Sequence, residues 1–362
     1  MSGPSIGRGR TRSRLADVLG VRRPIIQGPF GGGLSSIPLT VAVSNAGALG
    51  SYGANHLDPD QISSLVSELK RRTSHAFNVN LWVPLPGEAE VTLDEVELAR
   101  EVDRLRPYLD ELGVPPPAYR PTYGQSFDRQ VAALIDARPP VFSFIFGVPP
   151  AAVLDEARRR GIVTVGTATT VDEAVALEAA GVDVIVASGS DAGGHRGAFL
   201  APVAESLVGT FSLVPQVVDA VTVPVVAAGG IADRRGVAAA LALGADGVQI
   251  GTGFLMTTES VASAAHKRAL AGPGARITVL TSAFSGRPAR AIPNRFSREL
   301  AALERDLPPY PIQSALTSGI RSAAAERGLA DYLNLWAGQA ARLARPRTAQ
   351  DYLDELDTPE LT

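Results

Sequence analysis

At 362 residues, with 45% hydrophobic and 20% charged side chains, the chain has the length and balance of a globular protein with a large core, which excludes a disordered chain. A formal net charge of −3 without a basic cluster interleaved with aromatics leaves no footprint for nucleic acid, and no apolar run approaches the ~20 residues that span a bilayer, so a cytoplasmic protein with a small-molecule partner is expected. The absence of cysteine removes disulfides, thiol nucleophiles and cysteine-ligated metal, and His56, His75, His195 and His266 show no ligand spacing, so no metal site is expected.

The basic opening MSGPSIGRGRTRSR reads as a mobile, solvated arm, since no apolar region follows it as a targeting signal would require. From there short β-branched runs alternate with Ala/Leu-rich helical stretches. Strands are predicted at 24–27, 48–52, 77–82, 141–145, 162–165, 182–187, 223–227 and 247–250, and helices at about 39–46, 58–72, 126–137, 149–160, 171–180, 211–220 and 232–243. Eight such units predict an α/β fold, a (β/α)8 barrel over residues 1–274. The segments AVALEAAGVDVIVASG and VAAALALGADGVQIGTG repeat one logic: a glycine caps the helix and a short turn feeds a buried strand. Two stretches break the rhythm. Residues 83–122, proline-rich around a charged helical run, form an insertion; residues 275–362, with helical stretches near 297–305, 316–328, 330–343 and 348–356, form a smaller, mainly helical region expected to cap the barrel mouth on the substrate side.

In such barrels chemistry sits on the loops that follow the strands, and glycine concentrates there: QGPFGGG after the first strand, SGSDAGGHRG after the sixth, AAGGIAD after the seventh and QIGTG after the eighth. Gly229, Gly230 and Gly251 allow close approach of the backbone, and the Thr252 hydroxyl can donate, which suits a phosphate held by the last two loops; tight turns with no ligand are the alternative. Gln27, Asn80 and Gln249 bring carboxamides to strand ends, where they suit a ring with both donors and acceptors, such as an isoalloxazine, or else satisfy turns.

The chain resembles the class I nitronate monooxygenases, also called 2-nitropropane dioxygenases, through PIIQGPFGGG with SNAGALGSYGA, FNVNLW, VFSFIFGVP, GSDAGGHRG, PVVAAGGIAD with GADGVQIGTGFL, and FSGRPARAIPNRF, PIQSALTSGIR and LWAGQ. The resemblance implies an FMN-dependent barrel that oxidises nitronates or nitroalkanes with O2 to carbonyl compounds and nitrite. It makes His195 the candidate base, held against the flavin by Gly193 and Gly194, small because the cofactor lies close. It adds Gly28, Pro29, Phe30, Ser188 and Ile250 to the cofactor contacts. Ser188 and Asp191 stand where the family usually has glutamine and glutamate, and Phe30 where methionine is common, changes that bear on substrate choice. An NAD(P)H-dependent enoyl-thioester reductase on a related FMN barrel, or a flavin-binding module without turnover, are the alternative readings. Oligomeric state is open.

Overall fold

The computed structural model describes residues 13–88 and 91–357. In chain order its strands are β1 (Ile25–Gln27), β2 (Gly50–Gly53), β3 (Phe77–Trp82), β4 (Val141–Ile145), β5 (Val163–Ala168), β6 (Val184–Ser188), β7 (Gly194–His195), β8 (Val225–Ala228), β9 (Gly247–Ile250), β10 (Val279–Thr281) and β11 (Ala289–Ala291). Eight of them form one parallel sheet in the order β1-β9-β8-β6-β5-β4-β3-β2. The sheet closes on itself at Leu49, whose N–H donates to the Ile25 carbonyl at 2.9 Å while its own carbonyl accepts from Gln27 at 2.9 Å. The result is a (β/α)8 barrel. Closure removes both sheet edges, and the Val/Ile/Ala runs fit because each strand is buried on two faces. In β6, Val184 and Val186 fill the barrel interior, while Ile185 and Ala187 pack under the helices.

The strand cores fall where the β-branched runs predict them, displaced at some ends because Val182 and Val223 are apolar residues of the feeding turns. Residues 1–12 of the expected arm lie outside the described residues; Arg14 is exposed and burial begins at Leu15. The helix Arg14–Leu19 buries Leu15, Ala16 and Leu19 against the interior side chains Ile26, Val184 and Val226, and the Ser13 hydroxyl donates to the Asp246 carbonyl at 2.7 Å.

The region after 274 is corrected in two respects. Its last helix, Ala349–Leu356, belongs to the barrel: Ala349, Tyr352, Leu353 and Leu356 join the main core, and the helix packs beside Ile37–Asn45 and Arg234–Ala242 as the barrel's eighth helix. The other elements are therefore an excursion between β9 and that helix. Its two ends meet, since Thr257 pairs with Arg347 and the Thr258 N–H donates to the Arg347 carbonyl at 3.0 Å. The stretch 330–343 is not a helix. Short 3-10 turns at Ala330–Tyr332 and Ala341–Leu343 flank an extended segment, because that backbone is bonded elsewhere: Ile292 N–H to Leu335 O at 2.9 Å, Ala337 N–H to Arg290 O at 3.2 Å and Gln339 N–H to Asp191 O at 2.9 Å. The region also contains strand structure, β10-β11-β7, an antiparallel sheet that recruits Gly194 and His195.

The insertion supplies the helix Glu95–Glu111, started by an Asp94/Glu97 capping box. Its Leu98, Leu105, Tyr108 and Leu109 share a second core with Phe284, Phe296, Leu316 and Ile320, so insertion and excursion form one structure over the barrel's C-terminal end.

Candidate active site

At that end, where small-molecule sites of such barrels lie, the loops surround an open-mouthed cleft. Gly28, Pro29, Phe30, Asn80, Ser188, Gly193, Gly194, His195, Gly229, Gly230, Gln249, Gly251 and Thr252 all line it. Gln27 and Ile250 do not, and this corrects the expectation for both. Gln27 is fully buried at the β1–β2 seam, where its Oε1 accepts from Ser51 N–H at 2.9 Å and its Nε2 donates to the Gly28 carbonyl. The Ile250 side chain lies in the main core, and its carbonyl accepts from Gly28 N–H at 2.8 Å. The pair anchor the loop floor.

One end of the cleft carries glycine-rich loops with free backbone N–H groups. Gly229 and Gly230 have φ of 111° and 70°, and a Cβ on Gly229 would lie 2.7 Å from the Thr210 hydroxyl and 2.9 Å from Ala192 N. Among the described residues the N–H groups of Gly230 and Ile231 donate to no protein acceptor, and Thr252 opens the helix Thr252–Leu255, whose first N–H groups have no intrahelical partner. The Thr252 hydroxyl, expected to donate to a ligand, accepts from Gly338 N–H at 2.9 Å, which leaves its proton free.

His195 lies at the other end. Its glycines both line the cleft, and the fold constrains them as well: a Cβ on Gly193 would sit 2.4 Å from Gly338 N, and Gly194 has φ of 78°. The ring of His195 is caged edge-on by Trp82 at 4.8 Å, Trp336 at 5.2 Å and Phe146 at 6.4 Å. Burial, with Arg287 and then Arg321 nearby, pushes its pKa down to about 3, so it is neutral at physiological pH. Its Nε2 lies 2.9 Å from Ser285 Oγ, and that hydroxyl donates to the Arg287 carbonyl at 3.2 Å. In the tautomer in which the serine proton goes to that carbonyl, Oγ accepts from Nε2–H, and Nδ1, which has no protein partner among the described residues, carries the lone pair.

Two buried arginines brace the loop that carries His195. Arg196, 1% exposed, donates to the Gly189 carbonyl at 2.7 Å and the Ser188 carbonyl at 2.9 Å; Arg290 donates to Ser190 O at 2.7 Å. Burial first, and Arg290 second, lower the Arg196 pKa to about 10, which leaves it charged. Asp191, the departure from the family pattern, accepts from Thr210 N–H at 2.7 Å and so ties the loop to the next helix. Ser285, Arg287, Arg290 and Trp336 escaped the sequence reading. They lie in FSGRPARAIPNRF and LWAGQ, segments that carried the resemblance, but no spacing brings them to His195. Among the described residues no cluster of His, Asp or Glu could hold a metal ion, and no helix is long and apolar enough to cross a membrane.

His195 and His266 make folding sensitive to acid. His266 is enclosed, with Nε2 3.1 Å from the Trp336 carbonyl, and burial lowers its pKa to about 4. Both folded-state values lie below the ordinary value of 6.5, so between pH 6.5 and about 4 the unfolded chain binds protons that the folded protein refuses. Stability should therefore fall as pH drops through that window. Thermal unfolding midpoints measured from pH 7 to 5 check this, and His266→Gln should flatten the slope.

A closed parallel barrel with its cleft at the strand C-termini, glycine-rich loops with free N–H groups and a neutral, caged histidine is the architecture of a (β/α)8-barrel enzyme. The nitronate monooxygenase family profile matches residues 12–358. A probable nitronate monooxygenase of Staphylococcus aureus (strain Newman) is 42% identical over 347 residues, 95% of this chain and 96% of that one. The structure of nitroalkane oxidase from Streptomyces ansochromogenes superposes with a TM-score of 0.86 at 39% identity, covering 95% of this chain and 96% of that one. FabK from Thermotoga maritima follows with a TM-score of 0.74 at 29% identity, covering 96% and 95%. The chain belongs to the nitronate monooxygenase family and is an oxidoreductase of nitronate or nitroalkane oxidation.

Proposed function

We propose that the chain is an FMN-dependent nitronate monooxygenase that uses O2 to convert an alkyl nitronate, or a nitroalkane first deprotonated at His195, into a carbonyl compound and nitrite. The observation that carries this reading is His195 itself, with Nδ1 unpartnered at one end of a cleft whose other end offers free backbone N–H groups. The residues fit FMN. Its phosphate suits the Gly230, Ile231 and Thr252 cradle, and Asn80 and Gln249 line the cleft where a ring edge needs donors and acceptors. When bound, the flavin supplies the electron acceptor for the nitronate.

The protein's own part is to bind, orient and move a proton. Neutral His195 accepts the α-proton of a nitroalkane at Nδ1, while its Nε2–H stays on Ser285 and fixes the ring. Arg321, which disfavours the imidazolium, favours the anionic nitronate that forms or enters. Trp82, Trp336 and Phe146 exclude water from the ring.

Purified protein should be yellow and release FMN, not FAD, on denaturation, because one cradle holds one terminal phosphate and no second glycine-rich fingerprint serves a pyrophosphate. Chromatography of the released flavin checks the cofactor, and nitrite release from ethyl nitronate in air checks the reaction. The reductase reading predicts instead fast anaerobic bleaching by NADPH. A colourless protein that FMN does not reconstitute overturns both.

A further inference from the structure

Trp82 lines the cleft, the vestibule over His195 and a third space, a small side chamber. The side chamber opens from the vestibule past Asn55, Tyr123 and Tyr310, which line both. Its apolar walls are Trp82, Pro84, Val91, Phe127 and Pro311. Set among them is an ion pair, Arg287 with Glu88, whose side chains are 7% and 11% exposed. The Arg287 guanidinium lies 3.9 Å from the Phe146 ring centre, 4.6 Å from that of Tyr310 and 5.6 Å from that of Trp82, across Trp82 from His195.

This chamber is not satisfied by its own residues. Among the described residues Arg287 Nη1, the Tyr123 hydroxyl and Asn55 Oδ1 are buried without a hydrogen-bond partner. A buried polar group left unpaired costs about as much as a lost hydrogen bond, so three on one small space mark a place where another molecule completes the set. Glu88 neutralises Arg287, so the chamber carries no net charge and does not select an anion. Its free capacity is donors on Arg287 and Tyr123 and an acceptor on Asn55.

We infer that the side chamber is a subsite for the distal end of the substrate and that it takes a neutral hydrogen-bonding group, a hydroxyl or carboxamide, on an apolar spacer. The inference rests on the nitronate-oxidising reading: the nitronate head sits at His195 and the tail passes Trp82 into the chamber. Short nitroalkanes then use the reaction centre and leave the subsite empty.

The test compares the flavin-loaded wild type, Tyr123→Phe and Val91→Phe with the nitronates of nitroethane, 1-nitropentane and 4-nitrobutan-1-ol, the last two equal in length. Tyr123→Phe should lower kcat/KM for the alcohol roughly 3–10-fold, the effect of one hydrogen bond, and leave 1-nitropentane nearly as it was. Val91→Phe, which fills the chamber, should raise KM for both long substrates by a larger factor than for the nitroethane nitronate. Equal responses of the two long substrates to Tyr123→Phe, or of long and short to Val91→Phe, overturn the subsite. Should the wild type oxidise none of the three, the function proposed above fails. Quenching of tryptophan emission by pentanamide, weakened in Tyr123→Phe and Val91→Phe, then still decides for the chamber, and undiminished quenching decides against it.

Discussion

His195→Asn should lower turnover of a neutral nitroalkane by about 10²–10⁴-fold, the usual contribution of a positioned general base, while sparing most of the turnover of the preformed nitronate. A nitroalkane must lose its α-proton before it can be oxidised, and a nitronate has already lost it. Asparagine keeps a polar group of similar reach but cannot accept a proton at neutral pH. The cage of Trp82, Trp336 and Phe146 remains, so the variant should fold and retain its cofactor. Initial rates with nitroethane and with its nitronate, taken on one preparation, give the ratio. Equal losses on both forms would assign His195 to binding rather than proton transfer, and no loss on either would make it a turn residue.

Gly230→Val should abolish cofactor retention. Gly230 has φ of 70°, a conformation costly for a β-branched residue, and its Cβ would meet the Asp191 Cβ at 3.3 Å. Relief of both faults moves the loop whose free N–H groups form the cradle. The readout is flavin stoichiometry at equal protein concentration, with far-ultraviolet circular dichroism to show that the barrel persists. A folded, fully flavinated Gly230→Val would place the phosphate elsewhere. Gly229 is less suitable for this test, because its Cβ would strike Thr210 and Ala192 outright and threaten the fold as well.

The barrel was legible because its signals are local. A β-branched run, a helix-capping glycine and a small-Asp turn recur within each unit and need no distant partner. The cradle was legible for the same reason, as Gly229, Gly230, Gly251 and Thr252 sit directly after their strands. Gln27 shows the limit: a carboxamide at a strand end can face the cleft or the seam, and only the closing pair Ile25–Leu49 decides that it bonds Ser51. The surroundings of His195 were hidden because Ser285, Arg287 and Trp336 reach it through the sheet β10-β11-β7, a pairing between residues far apart in the chain. The same pairing overrode the helical composition of 330–343. Tyr352 explains a glycine that sequence alone leaves open, since a Cβ on Gly253 would sit 2.0 Å from its hydroxyl oxygen.

The excursion leaves the barrel at Thr257 and returns at Arg347, and these residues are paired neighbours. A loop whose ends already touch adds closure cost only slowly as it lengthens, so the barrel is nearly indifferent to what lies between them. That makes the segment a cassette. The loops after β8 and β9 stay with the barrel in any exchange of the cassette, although Thr252 keeps its bonded partner only if the incoming segment replaces Gly338, while Ser285, Arg287 and Trp336 travel with the cassette. An engineer who joins a foreign cassette at residues 257 and 347 has one doorway to match and two bonds to the barrel loops to restore, Gly338 to Thr252 and Gln339 to Asp191.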